Sequence, residues 1–207
     1  VTLHALQCFE RGDIRYEVTF MKELPDIITA SNYWYWDWYR NGETFIGTPL
    51  KRYYPAWYET EEDIENWRAL DPENRKNTWI LPMSDQTRDP QEYMPGEIDY
   101  EAFVTYSYGG APCRKFDDSN TGSYSNKTDY RDIHIITLSE VYLIAAEAYL
   151  KAGDEGSALA RLNEVRRRAQ LNSATTIDVD VVLKERVCEL FGQGSRWIDL
   201  RRTKKLV

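Results

Sequence analysis

From Thr137 to about Ala152, apolar residues recur at intervals of three and four: Leu138, Val141, Tyr142, Ala145, Ala148 and Tyr149. That spacing places a stripe along one side of an α-helix, and Gly153 is positioned to end it. A second stripe of Ala158, Leu159, Leu162, Val165 and Ala169 opens behind Asp154, whose carboxylate can cap the new helix. The turn Gly153-Asp154-Glu155-Gly156 between them predicts an antiparallel helical hairpin. A third helix is predicted from Asp178 or Asp180 to Phe191, with Leu183, Val187, Leu190 and Phe191 inward. Gly192 and Gly194 then interrupt the chain before a short segment from Arg196 to Arg202.

The front of the chain has another texture. All eight prolines precede residue 113, which forbids long helices there. Strands are predicted at Arg15 to Met21 and at Ala102 to Tyr108, where side chains alternate. A helix is predicted at Glu61 to Leu70: Thr60 can cap it, acidic residues fill its first turn, and Ile64, Trp67 and Ala69 or Leu70 give it an apolar side. Asp117 to Asn126 is too polar to pack and reads as a loop. The expected fold class is therefore mainly α, a helical hairpin with long irregular loops and a few short strands. Residues 1–128 form the irregular, aromatic-rich region and 129–207 the helical region.

The small residues Ala145, Ala146, Ala148 and Ala158 allow close helix approach, and the pattern A-x-x-x-Y-x-x-x-G-D-x-x-x-A resembles one tetratricopeptide-like unit of an α-α superhelix. A single unit cannot bury both of its faces, so the hairpin is expected to pack on something further.

Composition narrows the function. Against 26 Lys+Arg stand 34 Asp+Glu, for a net charge of −8. Residues 1–150 carry 14 basic and 26 acidic side chains, and residues 151–207 carry 12 and 8. The acidic whole argues against nucleic acid, which needs clustered cations to displace counterions. No run reaches the roughly 18–20 apolar residues of a membrane span. The three cysteines form no CxxC pair. Cys8 is preceded by Gln7, where a lipidated cysteine needs a small residue.

Several motifs then converge. Ile135 to Ala148 (IITLSEVYLIAAEA), Ala158-Leu159, Asn163 to Ala169 (NEVRRRA), Glu185-Arg186, Glu189-Leu190 and Gly194 to Arg202 (GSRWIDLRR) resemble, in order and spacing, the C-terminal region of the SusD/RagB family. Val187 departs from the family's E-R-R, and Gly192, Gln193 and Ser195 replace the usual Phe, Glu and often His. Asp71 to Lys76 resembles the D-x-R segment of such proteins. The resemblance implies a surface-exposed outer-membrane lipoprotein of Bacteroidetes that binds an oligosaccharide or polysaccharide without catalysis or cofactor. It implies a SusC-like TonB-dependent transporter as partner. Family members are longer, so an N-terminal part with the lipid anchor is expected to lie outside this chain. On physical grounds the motif residues are structural: Arg196 and Asp199 pair with helix ends or each other, Trp197 covers the core, and Glu140 and Glu147 satisfy buried polar groups.

Candidate binding chemistry lies in the front region. Between Tyr33 and Tyr58, 11 of 26 residues are aromatic, including four of the seven tryptophans. A pyranose ring presents a C–H face that stacks on indole or phenol, while its hydroxyls need polar partners around the rim. Tyr33, Trp34, Tyr35, Trp36, Asp37, Trp38, Tyr39 and Arg40 are the candidate ligand-binding residues, with Asn32, Asn41 and Arg52 able to join the rim. If the run is extended, Trp36 and Trp38 share one side, and Tyr33, Tyr35, Asp37 and Tyr39 the other. About half of such aromatics normally fill a core.

Metal chemistry finds little support: only His4 and His134 exist, and Asp118 to Gly122 lacks the acidic spacing of a calcium loop. His134, between two isoleucines, is read as structural. No GxSxG, HExxH or phosphate-cradling glycine loop occurs. Two alternatives stay open, a protein-docking scaffold that binds no sugar and a glycan-cleaving hydrolase.

Overall fold

One glycine and one aspartate make the corner on which the helical part turns. The computed structural model describes residues 2–25, 50–87, 110–115, 132 and 134–205. It divides into two units, Val1–Leu3 with Glu17–Asp132, and His4–Tyr16 with Ile133–Val207. The fold is mainly α. Among the described residues it has nine helices: α1 (Leu3–Gln7), α2 (Ile14–Thr19), α3 (Glu61–Leu70), α4 (Pro72–Arg75), α5 (Met83–Gln86), α6 (Leu138–Lys151), α7 (Glu155–Arg168), α8 (Val179–Glu189) and α9 (Arg196–Arg202). It also has three short strands, β1 (Glu23–Pro25), β2 (Leu50–Tyr53) and β3 (Trp79–Ile80).

In the helical unit, α6 and α7 form the predicted hairpin. Gly153 sits at φ +80°, donates to the Leu150 carbonyl at 3.1 Å, and lets Asp154 donate to Tyr149 at 2.9 Å. These are the two bonds of a glycine helix stop. Asp154 then caps α7 by accepting from the Ser157 amide at 3.0 Å, so one residue closes one helix and opens the next. Leu143, Ala146, Leu162, Val165 and Val182 form the core, with Ile177 and Val181 packed against it. Ala146 and Ala158 are fully buried, as the close approach of two helices requires.

Most of the stripe read on α6 lies on the other face of the helix, and of its residues Tyr142 packs against the core. Leu143, Ala146 and Glu147 turn inward, while Leu138 stays 69% exposed and Val141, Ile144 and Tyr149 are exposed with it. α6 is apolar nearly all round, and periodicity alone gives no preference between two apolar faces. Packing against α7 and α8 selects the side with Ala146. The expectation that one hairpin cannot bury both faces thus matches what these residues do.

The strand predicted at Arg15 to Met21 is instead helix α2 over Ile14–Thr19. Tyr16 and Phe20 are buried four residues apart, and Val18 between them is exposed. Asp13 starts the helix by accepting from the Arg15 amide and clamping its guanidinium. Glu185 and Glu189 hold the same guanidinium, and this tertiary anchor overrides the β-leaning alternation.

The other unit contains the sheet, in order β1-β2-β3. β1 pairs antiparallel with β2 through Glu23↔Tyr53 and Leu24↔Arg52. β2 pairs parallel with β3 through Arg52↔Trp79 and Tyr53↔Ile80. α3, capped by Thr60 as predicted and in a reciprocal box with Asp63, packs Trp67 and Ile64 on Leu50, Tyr53 and Ile80. The predicted strand Ala102 to Tyr108 and loop Asp117 to Asn126 lie outside the described residues.

Candidate functional site

Two short segments of the sheet unit hold tryptophans partly in the open. After β2 the chain turns at Ala56, where the Glu59 amide donates to the Ala56 carbonyl at 2.9 Å. Glu59 Oε2 accepts from the Ala56 amide at 2.5 Å, and its Oε1 from Lys22 Nζ at 2.7 Å and the Tyr53 hydroxyl at 3.1 Å. Burial, and next the Glu59 charge, push the Tyr53 phenol far up, so the hydroxyl stays a donor. On this braced turn stand Trp57, 38% exposed, and Tyr58, edge-on to it at 5.7 Å.

β3 supplies the second tryptophan. Trp79, 41% exposed, faces Arg52 on the neighbouring strand, whose Cζ lies 5.8 Å from the ring centroid. Buried Gln86 ties the two segments together by donating to the Pro55 and Leu81 carbonyls, each at 2.9 Å. The arrangement suits a neutral, ring-shaped ligand: flat apolar surfaces beside a guanidinium that can donate to hydroxyls.

The predicted residues Tyr33, Trp34, Tyr35, Trp36, Asp37, Trp38, Tyr39 and Arg40 lie outside the described residues, as does Asp118 to Gly122. Of the later aromatics in that cluster, Tyr53 and Tyr54 belong to the core and Trp57 does not. Trp79 escaped sequence reasoning, because a lone tryptophan before Ile80-Leu81-Pro82 carries no mark of exposure. His134 is exposed, which corrects its reading as a structural histidine. No group of three or more metal-ligating side chains occurs among the described residues.

The helical unit holds its charges differently, in two buried lattices sharing α8. In the first, Arg15 reaches Asp13 at 2.7 Å, Glu185 at 2.7 Å and Glu189 at 3.3 Å, and Arg166 joins Glu185 to Glu10. In the second, Asp199 takes Arg186 Nε at 2.7 Å and Arg202 Nη2 at 2.8 Å, while Arg186 also meets Glu140 and Arg202 meets Glu147. A buried charge is tolerated only with such partners.

Comparison with known proteins places the chain in a family. The model of the SusD family matches residues 13–206. The chain belongs to the SusD family. A SusD-like protein of Bacteroides ovatus is 32% identical over 104 residues, 46% of this chain and 19% of the relative. A SusD-like protein of Formosa agariphila is 26% identical over 178 residues, 74% of this chain and 35% of the relative. The matches thus span about a fifth to a third of the length of these curated relatives. No solved structure matches the chain.

The SusD-like motifs of the sequence are each other's partners: Glu140 and Glu147 come from IITLSEVYLIAAEA, Glu185 and Arg186 from α8, Asp199 and Arg202 from RWIDLRR. Asp199 pairs with Arg186 and Arg202 rather than with Arg196, whose Nη1 donates to the Leu183 carbonyl at 3.1 Å. Trp197, expected over the core, is 62% exposed, because Asp199 rather than Trp197 takes the buried side of α9.

The lattice has a pH signature. The hydrogen bond from Arg202, helped by Lys151 at 2.7 Å and opposed by burial, holds the Glu147 carboxyl down to about 2 from 4.5. A depressed carboxyl stabilises the fold fully above its unfolded value, and that contribution is lost as pH falls from about 4.5 towards 2. Arg202→Gln is therefore expected to flatten the acid-side decline of urea stability over that interval. Equal declines in variant and parent would mean that Glu147 is not linked to folding through Arg202.

Proposed function

We propose that this chain is part of a protein that captures an oligosaccharide at the cell surface without turning it over and passes it to a SusC-like TonB-dependent transporter. In this reading the protein sits at the outer membrane through a lipid anchor on a more N-terminal part. No described helix is long and apolar enough to cross a membrane. The observation that carries the reading is the presentation, in a SusD-family chain, of Trp57 and Trp79 on backbone braced by Glu59 and Gln86. Tyr33, Trp34, Tyr35, Trp36, Trp38 and Tyr39 are proposed to extend the stacking surface, with Asp37 and Arg40 serving sugar hydroxyls.

Native gel retardation of the chain through a panel of soluble polysaccharides tests this. Retardation by at least one glycan is expected, and Trp79→Ala is expected to weaken it about fivefold, the equivalent of about 1 kcal/mol of stacking. Unchanged migration in every glycan, or retardation indifferent to loss of Trp34, Trp36, Trp38, Trp57 and Trp79, overturns it. The exposed apolar face of α6 favours a second reading, a docking element for another protein. Transporter binding without any glycan response supports that one.

A further inference from the structure

The helical unit contains a cleft that neither the charge lattices nor the tryptophan surface uses. It lies between α1, the first turns of α8, and α9 with Lys205 beyond its end, and has a volume of about 400 Å³. That volume suits a small ligand. Leu183 and Leu200 give it apolar lining, and Gln7 and His4 add hydrogen-bonding groups.

Its charge is one-sided. Lys184, Arg196 and Lys205 line it against a single carboxylate, Asp180, which Lys205 already holds at 2.9 Å. Lys184 reaches outward to Glu10 at 3.3 Å. Arg15, Arg166 and Arg186, the buried arginines of this unit, are each clamped by carboxylates. Arg196, partly buried in the cleft, spends one nitrogen on the Leu183 carbonyl and has no acidic partner among the described residues. A planar guanidinium with donors to spare, inside a concavity with an apolar wall, is suited to a carboxylate fork. The Cys8 thiol alongside donates to the His4 carbonyl at 3.3 Å, and burial pushes it up, so no thiolate opposes an anion.

We propose that this cleft binds a sugar acid, a uronate whose carboxylate meets Arg196 and Lys205 while its C–H face lies against Leu183 and Leu200. The inference rests on the glycan reading for the ligand being a sugar, and on the cleft for its charge.

Calorimetric titration of the whole chain with glucuronate, glucose and inorganic sulfate tests it. Glucuronate is expected to bind at least tenfold tighter than glucose or sulfate and to weaken with added salt. Arg196→Gln is expected to lower that affinity about ten- to hundredfold, the range for a charged hydrogen-bonded partner. Because Arg196 also holds the Leu183 carbonyl, Lys205→Gln serves as the second variant, with a loss of about three- to tenfold at unchanged melting temperature. Equal binding of glucuronate and glucose, sulfate binding as tightly as glucuronate, or indifference to both substitutions overturns the assignment. Glycan retardation that persists without uronate binding rejects this cleft and leaves the tryptophan surface standing. Uronate binding retained in Trp79→Ala, in a chain that no polysaccharide retards, does the reverse.

Discussion

Asp199→Ala is expected to destabilise the helical unit by about 3–5 kcal/mol, the cost of stranding a buried charge. Asp199 is 3% exposed and accepts from Arg186 Nε at 2.7 Å and from Arg202 at 2.8 and 3.1 Å. Without it the Arg186 guanidinium, itself buried, keeps only Glu140 at 3.4 Å as an acidic partner among the described residues. Asp199→Asn retains an accepting oxygen but no charge, so its loss is expected to be smaller. Urea unfolding of the three chains measures both. A loss below about 1 kcal/mol for alanine would show that water reaches the pair and that it is worth no more than a surface bridge.

The second large effect is expected in the sheet unit. Trp67→Ala removes a ring stacked on Tyr53 at 4.0 Å, capped by Arg75 at 4.5 Å, whose indole N–H donates to Glu23 Oε1 at 2.6 Å. Truncating a packed tryptophan costs about 3–5 kcal/mol. α3 then loses its hold on β2 and β3, the strands that carry Arg52 and Trp79. Glycan retardation is therefore expected to fall together with stability. Trp67→Phe keeps a ring against Tyr53 and forfeits the N–H bond, so a loss of about 1–2 kcal/mol with retained retardation is expected. Denaturant unfolding beside the gel assay separates the two. Full stability in Trp67→Ala would remove α3 as the support of the sheet.

The helix ends could be read from the chain because their causes are local. Thr60 with Asp63, Asp154 with Ser157, and Gly153 at positive φ act within a few residues of themselves, so spacing and residue type reveal them. The inward stripe of α7 was equally legible, since only one of its faces is apolar. Composition showed where aromatic residues concentrate along the chain, though not which of the described rings face outward. Tyr53 and Trp57, four residues apart, went to core and surface respectively, and the braced turn at Glu59 made that choice.

Other features depended on partners distant in sequence. α2 forms behind Asp13 where the alternation said strand, because Glu185 and Glu189, more than 160 residues away, help hold the Arg15 guanidinium. α6 offered two apolar faces, and contact with α7 and α8 settled which was buried. The charged residues of the SusD-like motifs were visible as letters, but their pairing across α6, α8 and α9 was not. An ion pair depends on the distance between atoms in the folded chain, and sequence separation leaves that distance open until packing closes it.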